Sequence, residues 1–357
     1  MAADVEALAR TTLALCAIAS PTGAEAALAN HVEAWAARVW PATERQRVGH
    51  SFFFGRPKDA RPTVALVGHL DTVPAHPSTG PVRRAGERLY GTGASDMKGG
   101  LAVMMALAES LPRDGLPVNL VLALYEREEG PYDESGLWPL FERVPELAQA
   151  RFAIALEPTD GVVQVGCVGS LHATLRFQGR AAHAARPWQG VNALHLAGPV
   201  LSELLALAPR DVESEGFHFR EVFTATQAEG GRARNVVPDS FSLNVNVRFA
   251  PGRTAEEAEA DLRRLVAGRA HVEVTDRSPS APVCASNPFF HRLVRATGRP
   301  ATAKQAWTDV ARLAQQGVEA VNFGPGETAQ AHQAEESASV AELGAAYNAL
   351  AAFLSSG

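Results

Sequence analysis

Two histidines and a set of carboxylates stand in short, distinctive contexts: His69 and Asp71 in GHLDTVP, Asp96 in GTGASDMKGG, Glu128 and Glu129 in YEREEG, Glu157 in LEPT and His332 in AHQAEE. Imidazole nitrogen and carboxylate oxygen form a borderline donor set that suits Zn2+. Two ions in one site need a ligand with two donor oxygens between them, and Asp96 is the expected bridge. Each ion then takes one His and one further carboxylate, which pairs His69 with Glu157 and His332 with Glu129. The adjacent Glu128 and Glu129 divide the work. Glu129 binds metal, and Glu128 is the expected general base, taking a proton from the attacking water and passing it to the leaving amine. Asp71, two residues beyond His69, shares its face on an extended chain and is expected to hold the far ring nitrogen of His69. Glu126 reads as a solvated loop residue. Singly, a strand-end His is more often structural and an EE pair more often a wet surface. These residues gain weight because they follow buried strands.

Those strands are four apolar runs, TVALVGHL (63–70), VNLVLALY (118–125), RFAIALE (151–157) and EAVNFG (319–324). Continuous apolar runs of this length are what a parallel sheet covered on both faces requires. Residues distant in sequence can then converge beyond the carboxyl ends of the strands, where open α/β sheets bind ligands. Helical spacing is read at 4–18 and 24–39, with Ser20, Pro21, Thr22 and Gly23 between them, and again in KGGLAVMMALAESL and ELGAAYNALAAFL. The prediction is a three-layer α/β catalytic domain with a largely parallel sheet.

From Gly169 to Ser278 the texture changes. SLHATLRFQG, FTATQAEG and SFSLNVNVRFA alternate apolar and polar residues, as half-solvated antiparallel strands do. Helical patterns at 191–208 and 254–266 accompany them. Residues 169–278 are therefore expected to form an inserted α+β domain, with the catalytic domain discontinuous over 1–168 and 279–357.

A chain of 357 residues with 46% hydrophobic and 20% charged residues is a globular chain of two-domain length. Its net charge of −6 leaves no basic stripe for nucleic acid. The start lacks the positive segment of a signal peptide, and apolar stretches end before the roughly 18 residues a membrane helix needs. A cytoplasmic protein acting on a small polar molecule is expected, with no nucleic-acid or membrane partner. Three scattered cysteines, Cys16, Cys167 and Cys284, form no CxxC pair, so a metal must use His and carboxylate.

The motifs above, with GRAAHAARPWQGVNA and RNVVPDSFSLNVNVRF, occur in the order of the M20 metallopeptidase and deacylase family, which the chain resembles over nearly its whole length. Within it the sequence is most similar to succinyl-diaminopimelate desuccinylases of the actinobacterial type, notably through KQAWTDVARLAQQGVEAVNFGPG. The resemblance implies two Zn2+ ions, with Co2+ or Mn2+ as substitutes, and the roles given above for the seven site residues. It further implies a homodimer formed by the inserted, lid-like domain. His183 would then stabilise the oxyanion in the neighbouring subunit. Arg248 is implied as a substrate carboxylate clamp, with Asn235, Ser170 and Thr308 in the substrate region, and the Asp96–Met97 bond is often cis in relatives. The implied reaction is hydrolysis of N-succinyl-LL-2,6-diaminopimelate to succinate and LL-2,6-diaminopimelate. Alternatives are another M20 deacylase or peptidase (acetylornithine deacetylase, N-acyl amino acid hydrolase, di- or carboxypeptidase) and a catalytically silent metal-binding relative. Two departures concern substrate choice: AWTD at 306–309 replaces a GGTSD-like segment, and Cys167 stands near a position that is basic in proteobacterial relatives.

Overall fold

The computed structural model describes residues 2–356; Met1 and Gly357, the outer ends of the expected catalytic segments, lie outside the described residues. Two compact units are distinguished. The first takes the chain up to Gly166, then Cys284–Thr302 and the chain from Arg312 onward; the second takes Cys167–Val283 and Ala303–Ala311. The second unit thus extends a few residues past each expected boundary and gains a separate short segment carrying Trp307 and Thr308.

In the first unit, strands Thr63–His69, Asn119–Tyr125, Phe152–Pro158 and Ala320–Gly324 are buried along their whole length. They lie within one residue of the four apolar runs. Thr63–His69 runs parallel to both Asn119–Tyr125 and Phe152–Pro158, and Ala320–Gly324 continues parallel beside the latter. The hairpin Arg45–Val48 and Ser51–Phe54 adds antiparallel strands at the edge next to Asn119–Tyr125. The sheet is therefore mixed but largely parallel. Helices Val5–Cys16, Gly99–Ser110 and Val340–Ser355 pack on one another, and Gly99–Ser110 also packs on the strands. Gly100 permits that approach, because a Cβ there would meet the Leu156 carbonyl oxygen at 2.4 Å. Cys16, Cys167 and Cys284 are all buried and form no disulfide.

The second unit is a five-stranded antiparallel sheet in the order Arg210–Ser214, Phe217–Gly230, Ser240–Phe249, Gly169–Gln178 and His271–Ser278. Period-two alternation sorts its faces. Leu171, Ala173, Leu175 and Phe177, with Leu243, Val245, Val247 and Phe249, enter one core with Ala197 and Val200 of helix Ala193–Ala206 and Leu262 of helix Ala255–Val266. The latter helix starts in a capping box in which Thr254 and Glu257 satisfy each other's backbone N–H groups. Ser170, His172, Asn246 and Arg248 alternate with the core residues and take the opposite face.

Candidate metal centre

Two side chains of the centre are placed by strand ends. His69 closes Thr63–His69 in register with Tyr125, the last residue of Asn119–Tyr125. Glu157 is the penultimate residue of Phe152–Pro158. Parallel strands bring these ends to one edge, and the turn after Tyr125 brings Glu128 and Glu129 to it. Asp96 lies in a loop entered through Gly93 at φ 83, where a Cβ would also stand 2.7 Å from Thr72 Cγ2. The Asp96–Met97 peptide is cis. Arg127 and His332 adopt φ of 60 and 63, a left-handed conformation uncommon for residues with a side chain and concentrated at functional sites.

The two oxygens of Asp96 face different imidazoles. Oδ1 is 3.1 Å from His69 Nε2, and Oδ2 is 3.6 Å from His332 Nε2. His69 Nε2 has Glu157 Oε1 at 3.8 Å, and His332 Nε2 has Glu129 Oε1 at 2.9 Å. The donor atoms of His69, Asp96 and Glu157 lie within 4.8 Å of one another, as do those of Asp96, Glu129 and His332. Glu128 joins a third grouping of the same span with His69 and Glu129.

Electrostatics follow from this crowding. Burial alone would depress the His69 pKa, yet Asp71, Asp96, Glu157 and Glu128 outweigh it and hold it well above the ordinary value. The hydrogen bond from His332 to Glu129 pushes the His332 pKa up to about 9, against a smaller opposing effect of burial. Both imidazoles respond to an excess of negative charge that cations would balance. The donors, oxygen and nitrogen without sulfur, could hold divalent metal ions.

Asp71 is buried, and its carboxylate is more widely engaged than the sequence reading implied. Oδ1 accepts the Glu128 N–H at 2.9 Å, and Oδ2 accepts the Glu129 N–H at 3.1 Å and the Thr22 hydroxyl at 2.9 Å. His69 Nδ1 is 3.6 Å from Asp71 Oδ1 but 2.9 Å from the Asp71 backbone carbonyl oxygen. Asp71 thus ties the EE turn to the His69 strand. Glu126 is not a solvated loop residue: its Oε1 accepts the His50 N–H at 2.9 Å in a partly buried setting.

The residue that sequence reasoning missed is Glu336. Its carboxylate accepts the N–H groups of Gly93 at 2.8 Å, Ser95 at 2.9 Å and Asp96 at 2.9 Å, fixing the loop that presents Asp96. Burial pushes its pKa up to about 7, against the lowering effect of those backbone donors. The only signal was its place four residues beyond His332.

The remaining candidates belong to the second unit. His183 is exposed, and its Nδ1 accepts the Ala185 N–H at 3.1 Å. Asn235 is exposed, and its backbone carbonyl accepts the Ala184 N–H. Ser170 and Thr308 are buried, and the Thr308 carbonyl accepts from Cys167 Sγ at 3.7 Å. Arg248 is partly buried and donates to Asn246.

Fold and donor set together define an α/β protein with a carboxylate–imidazole centre at the carboxyl edge of a largely parallel sheet. The profile of peptidase family M20/M25/M40 matches residues 65–356. A protein of Mycobacterium tuberculosis named "Putative succinyl-diaminopimelate desuccinylase DapE" is 37% identical over 344 residues, covering 96% of each chain. The succinyl-diaminopimelate desuccinylase of Corynebacterium glutamicum is 33% identical over 339 residues, covering 93% of this chain and 92% of the relative. Among solved structures, a tripeptidase from Staphylococcus aureus superposes with a TM-score of 0.80 at 20% identity, covering 99% of this chain and 98% of that one, which shows the shared fold. The chain belongs to peptidase family M20/M25/M40 and is a hydrolase. No helix among the described residues is long and apolar enough to cross a membrane.

Proposed function

We propose that this hydrolase cleaves the amide bond of N-succinyl-LL-2,6-diaminopimelate, giving succinate and LL-2,6-diaminopimelate, with two zinc ions held by its carboxylate–imidazole centre. The observation that carries the metal assignment is the Asp96 carboxylate, whose two oxygens face His69 and His332 separately. Asp96 is the shared ligand; His69 and Glu157 complete one site, and Glu129 and His332 the other. The substrate assignment draws on the two relatives aligned over more than nine-tenths of their lengths. When bound, such ions supply Lewis-acid polarisation of the acyl carbonyl.

The protein's own residues move the proton. Glu128 takes a proton from the attacking water as the water oxygen bonds to the acyl carbon. It delivers that proton to the amine nitrogen as the C–N bond breaks. Asp71 holds Glu128 through its backbone N–H, so the base is positioned by a buried carboxylate. His183 is the proposed oxyanion donor. Because its Nδ1 accepts a backbone N–H, its proton resides on Nε2, which is the form that can donate.

The enzyme is proposed to act as a homodimer, with His183 serving the partner subunit. Trp188 and Leu205 are 75% and 90% exposed, and Leu194, Leu196 and Leu201 are exposed on the same helix as Leu205, so a partner has several apolar side chains to cover there. Arg248 is the proposed clamp for a substrate carboxylate, through its guanidinium fork.

The test is turnover by the zinc-loaded protein of succinyl-diaminopimelate, acetylornithine and simple dipeptides side by side. Preference for the succinylated diamino acid is expected. Preference for acetylornithine or a dipeptide would replace the substrate. Full metal loading without hydrolysis of any of them would favour the silent relative.

A further inference from the structure

Arg248 can act as a clamp only if its planar guanidinium is held in one orientation, and the second unit holds it in an unusual way. Strand register sets Arg248 opposite Ser170 and Asn246 opposite His172. The Nε–H of Arg248 donates to Asn246 Oδ1 at 2.9 Å. Nδ2 of the same amide lies 2.8 Å from His172 Nε2 and 3.3 Å from Ser170 Oγ. Asn246 is buried, so these are the partners its amide has to satisfy.

The direction of each bond follows from chemistry. Arginine only donates, so the amide oxygen must face Arg248 and the amide nitrogen must face His172. An amide N–H2 cannot meet another donor, so His172 Nε2 must be the unprotonated acceptor and Nδ1 must carry the proton. Protonating His172 puts a second donor against the amide. The amide is then satisfied only by reversal, which turns its oxygen toward His172 and its nitrogen toward the Arg248 Nε–H.

We propose that Asn246 and His172 are positioning residues for substrate binding: the neutral Nδ1–H tautomer of His172 fixes the Asn246 amide, and the amide fixes the Arg248 guanidinium toward an anionic group of the substrate. This rests on the reading of Arg248 as the carboxylate clamp. The charged groups that face His172 are few. Arg248 lies on one neighbouring strand, and Asp276, in register with His172, on the other. Arg176 and Glu273, further along the same strands, are paired with each other at 2.8 Å. Burial and Arg248 lower the His172 pKa, against Asp276, so the neutral form persists below the ordinary histidine range. The orienting arrangement is thus present at neutral pH and lost on acidification.

The experiment uses the zinc-loaded full-length enzyme. Nitrogen-15 histidine NMR, with the His172 signals assigned by their loss in His172→Gln, should show the Nδ1–H tautomer. Asn246→Ala should raise KM for the carboxylate-bearing substrate about tenfold while kcat stays within about twofold. His172→Phe, which lacks an acceptor, should raise KM at every pH. His172→Gln offers an oxygen acceptor and cannot titrate, so KM near about pH 8 should match the parent, and the part of the rise in KM on acidification that His172 causes should vanish. An Nε2–H tautomer, or Asn246→Ala and His172→Phe enzymes with unchanged KM, overturns the proposal. Arg248→Ala separates the two layers. If it raises KM and the Asn246 and His172 variants do not, only the positioning role fails; if Arg248→Ala leaves KM unchanged, the clamp itself is wrong.

Discussion

The proposed metal centre of the first unit gathers side chains scattered from residue 69 to residue 332, whereas the polar cluster of the second unit uses neighbours on two adjacent strands. The first depends on several loops leaving the carboxyl ends of parallel strands, two of them held by buried carboxylates. Asp71 ties down the EE turn and Glu336 ties down the Asp96 loop. The second needs no such anchors, because register alone sets Asn246 beside His172. A site drawn from distant loops has to be secured one loop at a time, while a site on a sheet face inherits its geometry from the ladder.

This contrast can be broken most sharply at Asp96. Asp96→Ala removes the carboxylate shared by the His69–Glu157 and Glu129–His332 groups, so activity should fall below detection and metal content, read by mass spectrometry, should drop from two ions per chain. Two retained ions would mean that the groups are independent. Next in size, Glu128→Gln should cost about 10²–10⁴ in kcat at unchanged metal content. An active Gln enzyme would move the base elsewhere.

A smaller effect tests whether the second unit serves the first across a dimer. Leu205→Glu places a charge on a side chain that is 90% exposed in the single chain, so folding should be preserved. Sedimentation should then show monomer, and activity should fall about 10–100-fold through loss of the His183 donor. A dimer that persists would exclude this helix from the interface.

Smallest is the pH response of the metal-free protein. The folded His332 pKa is raised to about 9 from the ordinary 6.5, so its contribution to stability is complete below about pH 6.5 and lost as pH climbs to about 9. Because His332 is half exposed, the fall in melting temperature over that window should be only a few degrees, read by thermal unfolding. Zinc affinity should rise over the same window, since binding must displace the proton. His332→Asn should flatten the melting-temperature trend.

Much of the first unit was legible in its residues, because unbroken apolar runs have few alternatives to buried parallel strands. The four runs match the four central strands to within one residue, and the helices Val5–Cys16, Ala26–Val39, Gly99–Ser110 and Val340–Ser355 were read as well, whereas the shorter Leu137–Arg143 and Pro288–Thr297 were not. The hairpin Arg45–Val48 and Ser51–Phe54 was not read, since its strands are only 4 residues each and give too short a pattern. Strand His271–Ser278 carries charged residues along its length and was likewise unread. Glu336 escaped notice because a carboxylate that accepts backbone N–H groups leaves no pattern in a polar segment.

Taken alone, the sequence determined the fold class, the order of its parts and the types of donor available, because hydrophobic periodicity and residue chemistry are local properties. Tertiary structure decided which oxygen of Asp96 faces which imidazole, that Asp71 and Glu336 spend their carboxylates on backbone N–H groups, and that His172 meets Asn246. Those outcomes depend on strand register and loop closure, which bring together groups that no local spacing relates.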